Sequence, residues 1–240
     1  VTEQAVKIGP GAYEKWRSTS LGDLTAEIEN RLILELSGDL AGRRLLDVGC
    51  GDGLMALAAQ RAGARSVGLD PDPAMIAAAR RRADDLDLEA GFALGEAGRL
   101  PFQDESFDLV WAVTVLCFVA DPRAALGEMA RVLKPEGRLV LGDLGRWSLW
   151  AARRRVRAWL GSKTWRRAVF RSPRQMRALA EGSGLAVLEL RGAIYYPPSG
   201  WWARRLAPRD RFFSRITALG AAFIALLARK PGTRSARRDQ

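Results

Sequence analysis

Two acidic residues and three glycines carry the spacing most suited to holding a ligand. The apolar run Leu45-Leu46-Asp47-Val48 passes directly into Gly49-Cys50-Gly51-Asp52-Gly53. A helical pattern, Leu54-Met55-Ala56-Leu57-Ala58-Ala59, follows at once. Glycines at alternate positions let the backbone turn tightly and come close to a ligand with no Cβ in the way. The helix that begins there turns its free N–H groups toward the turn. A second acid, Asp70, closes the strand-like Ser66-Val67-Gly68-Leu69. It lies about twenty residues on, where nucleotide-binding folds place a carboxylate for ribose hydroxyls.

What the chain lacks is equally instructive. It contains no histidine, which excludes His-dependent triads, His-ligated metals and the commonest neutral-pH general base. No metal is therefore expected. Its two cysteines, Cys50 and Cys117, suggest no disulfide framework. No export signal is legible, so the expectation is a cytoplasmic protein.

The 240 residues carry a formal charge of +11, unevenly distributed. Between Arg146 and Arg177 stand eleven Lys and Arg and no acid, so that window alone accounts for a charge of +11. Arginine outnumbers lysine 33 to 5, as a coding bias would produce. Bias does not remove every acid from such a stretch. An anionic contact, at a membrane surface or on nucleic acid, is the functional expectation, with a solvated basic face as the alternative.

The elements that must position these residues alternate. Strands are predicted near 44–48, 65–69, 88–94, 107–113 and 137–143, and helices near 21–37, 53–62, 73–83 and 122–133. Such β-then-α units imply parallel strands with right-handed crossovers and a ligand at the C-terminal strand edge. Beyond Asp143 the pattern changes. Ser148–Leu160 reads as an amphipathic helix, Ser172-Pro173 as the cap of a helix to about Glu181, and Leu185–Tyr195 as a strand. Pro197-Pro198-Ser199-Gly200 interrupts the pattern before Trp201-Trp202. Residues 212–228 are apolar but too short and too polar to span a membrane. One domain is expected over 1–240, comprising a helical entry segment (1–40), a core (41–143), a basic Trp-rich insertion with a sixth strand (144–219), and a last strand with a basic tail (220–240).

The order of these motifs resembles the class I S-adenosylmethionine-dependent methyltransferases, in the branch that includes the ubiquinone/menaquinone enzymes. The matching pieces are Tyr13-Glu14-Lys15-Trp16 before Leu21-Gly22, Leu45–Gly53, Val67–Asp70 with Met75, Gly95–Phe102, Phe107–Val110, and Glu128 through Leu139. The resemblance implies a Rossmann-like, doubly wound α/β fold. Its seven-stranded sheet would be mostly parallel, with a C-terminal antiparallel strand pair and flanking helices. It also implies S-adenosyl-L-methionine as cofactor. Asp47, with Gly49, Cys50, Gly51 and Gly53, would then hold the methionine end, and Asp70 the ribose hydroxyls. Pro71, Met75, Ala97 and Leu100 would border the adenine, with Glu96 where the family usually has Asp. The branch's Leu-His-His after the fourth strand is replaced by Leu116-Cys117-Phe118, so no histidine role carries over.

A nicotinamide dehydrogenase fits less well, because the glycines follow GxGxG and Asp47 would face a pyrophosphate. Segment 144–219 holds six of the eight tryptophans and is expected to cover a small, hydrophobic, lipid- or quinone-like acceptor, with Tyr13, Tyr195 and Tyr196 as candidate positioners. Contact with an anionic membrane through 146–177, peripheral at the inner membrane surface, belongs to this expectation. Two alternatives remain open at this point. One is an RNA methyltransferase gripping nucleic acid through 146–177, although no Asn/Asp-Pro-Pro-aromatic segment or Pro-Cys nucleophile is present. The other is a non-catalytic S-adenosylmethionine-binding partner protein.

Overall fold

The computed structural model describes residues 9–232. Residues 1–8 and the end of the expected basic tail, 233–240, lie outside the described residues. Two helices lead in, α1 (Pro10–Arg17) and α2 (Ser20–Ser37). They are followed by β1 (Arg44–Val48), α3 (Leu54–Arg61), β2 (Arg65–Asp70), α4 (Pro73–Asp85), β3 (Gly91–Leu94), β4 (Phe107–Val113), α5 (Pro122–Val132) and β5 (Leu133–Leu144). Then come α6 (Leu149–Trp159), α7 (Lys163–Arg167), α8 (Pro173–Glu181), β6 (Ala186–Ala193), α9 (Gly200–Ile216) and β7 (Phe223–Arg229).

The seven strands form one sheet in the order β3-β2-β1-β4-β5-β7-β6. β1 pairs in parallel with both β2 and β4, which makes the ends of β1 and β4 the point where the winding reverses. β7 runs antiparallel between β5 and β6. The mostly parallel sheet with an antiparallel C-terminal pair is as expected.

Alternation along the strands sorts the core onto two faces. Leu46, Val48, Val110 and Ala112 pack with Met129 of α5 and Met176 of α8. Leu45, Leu109 and Trp111 pack with Ile33 and Leu36 of α2 and with Phe223. The buried Trp111 indole donates to Ser37 Oγ at 2.8 Å, which satisfies its one polar atom. Gly142 leaves room for the Phe223 ring, which a Cβ there would strike.

Helix ends are capped by sequence-local groups. Asp72 and Asp121 each precede a proline at the first helical turn and accept backbone N–H groups. Ser172 and Gln175 form a reciprocal capping box on α8.

Three expectations change. β3 begins at Gly91 rather than near 88; Leu88 and Ala90 instead pack against the α3–α4 cluster. β6 stops at Ala193, because Ile194 takes a left-handed φ of 63°. The apolar run 212–228 is two elements: the end of α9 and β7, whose residues from Phe223 to Ala228 are all buried. α9 itself was not anticipated, since Pro208 sits inside it. No helix among the described residues is long and apolar enough to cross a membrane.

Candidate active site

The loops that follow β1, β2 and β3 are tied together at one sheet edge. The Gly49 and Cys50 N–H groups both donate to the Leu69 carbonyl, at 2.6 and 3.0 Å. The Asp70 carboxylate accepts from Gly51 N–H at 3.0 Å and from Asp72 N–H at 2.9 Å. The Asp70 carbonyl accepts from Gly95 N–H at 3.1 Å, which anchors the third loop. Each Asp70 oxygen keeps acceptor capacity after its single backbone bond.

Gly49 and Gly51 adopt φ values of 71° and 55°, a region that disfavours any side chain. At Gly49 a Cβ would also collide with Val115 Cγ2. At Gly51 a Cβ would meet nothing within 4 Å, so the loop backbone borders open space. Gly53 differs: there a Cβ would lie 2.8 Å from Ala79 Cβ, so this glycine serves helix packing.

Asp47 is buried at the end of β1 and takes a backbone hydrogen bond from Ala56. Burial, reinforced by the nearby Asp70 charge, pushes its carboxyl up to about 7. Asp70 is also raised, chiefly by burial, with the Asp72 and Gly51 N–H groups opposing. Two buried acids that repel each other form a site that a cationic group would relieve. These acceptors fit a ligand with an ammonium at one end and a diol at the other. Cys50 lies beside them with its thiol pushed up by burial and by the charges of Asp47 and Asp70.

Other anticipated residues converge on the same edge. Met75, Ala97 and Leu100 are buried, whereas Pro71 and Glu96 are exposed. Glu96 pairs with Arg99 in a tight turn. Just past the end of β4 stands Thr114, a β-branched residue with φ 58° whose N–H donates to the Gly142 carbonyl at 2.7 Å. Such a conformation costs about 1–3 kcal/mol and persists only where its surroundings enforce it.

The three tyrosines separate. Tyr13 stands on α1 beneath the Arg17 guanidinium, 4.7 Å from the ring centroid. Its hydroxyl is pushed up to about 12 by burial and by Glu29, with Asp52 and Asp47 adding smaller contributions. Arg17, which also pairs with Asp52, links Tyr13 to the glycine turn. Tyr196 is buried, with its hydroxyl 3.2 Å from Thr25 Oγ1. Tyr195 points away: its hydroxyl donates to the Thr217 carbonyl beside the Phe213 ring.

Three ionic groupings escaped the sequence reading. Buried Asp52 binds both Arg17 of α1 and Arg82 of α4, the latter at 2.8 Å, which pins the entry helix over the glycine turn. Glu128 accepts from Leu100 N–H at 2.7 Å, and Arg131 donates to the Leu100 and Phe102 carbonyls, fixing the loop after β3. Asp143 pairs with Arg171 at 2.8 Å and also receives the Cys117 thiol. Cys117 is fully buried, as expected of a small core residue. Only the Glu128–Arg131 pair had a local cue, its helical i,i+3 spacing.

Beyond the strand ends the cover displays apolar side chains among arginines. Trp147, Leu149, Val156, Trp159, Leu160, Val169, Trp201, Trp202, Phe212 and Ile216 are all exposed, Trp159 by 85% and Leu160 by 70%. Trp150 is instead buried and donates to the Tyr196 carbonyl at 2.9 Å. The Arg154 guanidinium lies 5.3 Å from the Trp150 ring and 4.8 Å from the Trp165 ring.

Comparison with known proteins places this geometry. Residues 46–141 match the methyltransferase domain family. A ubiquinone biosynthesis O-methyltransferase of Rhodopseudomonas palustris is 34% identical over 174 residues, covering 70% of this chain and 68% of that protein. The Cereibacter sphaeroides enzyme of the same description is 33% identical over 202 residues, 81% of each chain. In several such relatives the matched part is about two thirds of their own length. A crystal structure of an S-adenosylmethionine-dependent methyltransferase from Thermotoga maritima superposes with a TM-score of 0.70, covering 92% of this chain and 95% of that one at 24% identity, a likeness of fold. With its glycine turn, paired acids and seven-stranded sheet, the chain belongs to the class I S-adenosylmethionine-dependent methyltransferases, in the branch of the ubiquinone biosynthesis O-methyltransferases.

Proposed function

We propose that this methyltransferase acts on a hydroxyl of a small, hydrophobic, quinone-like acceptor that it meets at an anionic membrane surface. The observation that carries the proposal is the cover. Its exposed tryptophans and leucines alternate with arginines beside the strand ends, an arrangement suited to apolar insertion combined with attraction to anionic lipid. The O-methyltransferase relatives support the same acceptor class.

In this account residues 41–143 hold the cofactor and 144–219 cover the acceptor. Asp47 takes the ammonium of the methionine end, and the Gly49–Gly51 backbone lies along it. Asp70 accepts both ribose hydroxyls through its two free lone-pair directions. Met75, Ala97 and Leu100 form the apolar wall of the adenine site, with Pro71 and Glu96 at its rim. S-adenosyl-L-methionine supplies an electrophilic methyl group on a sulfonium. The chain's own task is to align the acceptor oxygen in line with that methyl and exclude water; no covalent intermediate is required.

Nucleic acid is the weaker reading. Of the four tryptophans in 146–177, Trp150 is buried, and Arg154 lies against both Trp150 and Trp165. Arg146 lies against Trp147 in the same way, 5.0 Å from its ring centroid, which leaves Trp159 to stack on bases. The test is to incubate the purified protein with methyl-labelled cofactor and a cell extract, then separate solvent-extractable, aqueous, protein and nucleic-acid pools. Label in the solvent-extractable pool is the expected result. Label in nucleic acid would replace this acceptor class.

A further inference from the structure

A cavity of about 750 Å³ runs along β6, the strand at the open edge of the sheet. β6 stands four strands from β1 in the sheet order, about 20 Å at the usual strand spacing, so the cavity is separate from the glycine turn. Its walls are the start of α8 (Ser172–Arg174), the middle of β6 (Glu189–Arg191), and the end of α9 with the residues just beyond it (Ser214–Leu219). Trp147, which follows β5, completes the lining. The volume falls within the range of about 300–1,000 Å³ usual for small-molecule sites.

Unused donors of three kinds line this one space. Arg174 and Arg215 are exposed in its wall, and neither makes an ion pair or hydrogen bond among the described residues. Glu189, the one acid in the lining, is bound by Arg191 Nε at 2.5 Å and so does not offset them. At the start of α8, Ser172 caps the Gln175 N–H and Pro173 has no N–H to offer. That leaves the Arg174 N–H open at the positive end of a nine-residue helix. Ser214 is only 8% exposed, yet it makes no hydrogen bond among the described residues. No sealed side-chain oxygen among those residues lacks a partner, so the Ser214 hydroxyl opens on the cavity it lines. Beside these donors, Trp147, Ile216 and Leu219 present exposed apolar surface.

We propose that this cavity is a second ligand site, which takes a phosphate monoester carried on an apolar body. Two guanidiniums from separate elements match the two charges of such a phosphate. The open N–H of α8 and the Ser172 and Ser214 hydroxyls serve the remaining oxygen lone pairs. A carboxylate, with two oxygens and one charge, would leave part of this set unused. The indole and the aliphatic side chains take the apolar body. The site is independent of the acceptor assigned above, because nothing in it touches the cofactor edge.

The test is calorimetric titration of the full chain at pH 8 with octyl phosphate below its micellar concentration. The wild-type protein should bind it, and Arg174→Gln with Arg215→Gln should weaken binding at least tenfold. Both arginines are exposed and unpaired, so thermal melts should show the double variant folded as the wild type. Arg157→Gln with Arg166→Gln removes the same charge from the basic cover outside the cavity and should change affinity less than twofold. Octyl sulfate, a monoanion on the same body, should bind at least fivefold more weakly than the phosphate. Vesicles then distinguish the source. Phosphatidic acid in phosphatidylcholine vesicles that binds the wild type and loses tenfold with Arg174→Gln/Arg215→Gln makes the ligand a lipid headgroup; vesicle binding that this change leaves alone makes it a free ester. No binding of octyl phosphate, or equal losses in the two double variants, would overturn the site. Octyl sulfate bound as tightly as the phosphate would overturn the ligand class.

Discussion

The cofactor edge and the cover meet at the same strand ends, yet they are built by opposite rules. At the cofactor edge, backbone groups do most of the holding. Leu69 O, Gly51 N–H, Asp72 N–H and Gly95 N–H are knotted around Asp70 within a few ångströms. Positive φ values at Gly49 and Gly51 are part of that knot. In the cover the held groups are side chains, with Arg154 between tryptophan rings and Tyr196 joining two helices. Its outward face is unpaired apolar surface. On the proposed reading, a site that reads one fixed cofactor is specified by backbone, and a surface assigned to an apolar acceptor is specified by composition.

That contrast breaks most readily at Gly49. Gly49→Ala adds a Cβ in a left-handed conformation and against Val115. It should cost about 2–4 kcal/mol of stability and eliminate cofactor binding, as read by urea melts and calorimetry. Full cofactor affinity in this variant would show that the turn is not the binding element.

Asp70→Ala comes next. Losing a charge-assisted contact to two hydroxyls should weaken S-adenosylmethionine binding by roughly 2–4 kcal/mol. An unchanged dissociation constant would remove the ribose assignment.

Asp47 sharpens the comparison through pH. Its carboxyl, raised by burial and by Asp70 to about 7, must be ionised to receive an ammonium. Cofactor affinity should therefore fall up to about tenfold per pH unit below 7. The stability sign is the reverse. A raised carboxyl favours the fold at low pH, and that contribution is lost as pH rises from the unfolded value through about 7. Asp47→Asn should consequently stabilise the cofactor-free protein by on the order of 2 kcal/mol at pH 8 while abolishing cofactor binding. Loss of stability at pH 8 in thermal melts would contradict this electrostatic account.

The smallest folding effect is expected in the cover. Trp159→Ser with Leu160→Ser should change stability by less than about 0.5 kcal/mol, since both side chains are exposed. Cofactor affinity should not move, while partition onto phosphatidylglycerol vesicles should fall at least about a hundredfold, because roughly 1.5–3 kcal/mol attaches to each large apolar side chain that buries. Equal partition of the variant in a sedimentation assay would relieve this face of its assigned role.

The same contrast explains what could be read before the structure. Leu45 through Gly53 and Val67 through Asp70 are contiguous, and each names its own backbone need, so the strands, the turn and the paired acids were legible. The last strand was legible as an element, because an apolar run such as Phe223–Ala228 fits a strand covered on both faces; its place between β5 and β6 was not. α9 was hidden by Pro208 and by the preceding Pro197-Pro198, whose local signals argue for a break. Tertiary contacts override them: Asp210 on α9 accepts the Ile194 and Tyr195 N–H groups at 3.1 and 3.0 Å and locks the helix to the end of β6. In the sequence Asp52 is one more residue of the glycine run. Its bonds to Arg17 and Arg82 join residues far apart in sequence, and no local pattern encodes them.

The most direct test of the division between edge and cover is the initial rate of methyl transfer to one 4-alkylcatechol, offered at equal concentration in phosphatidylglycerol vesicles and in neutral phosphatidylcholine vesicles. The account predicts faster transfer on the anionic vesicles, with the advantage erased by high salt and by the Trp159→Ser/Leu160→Ser change. Equal rates on both surfaces, insensitive to salt and to those substitutions, would contradict it.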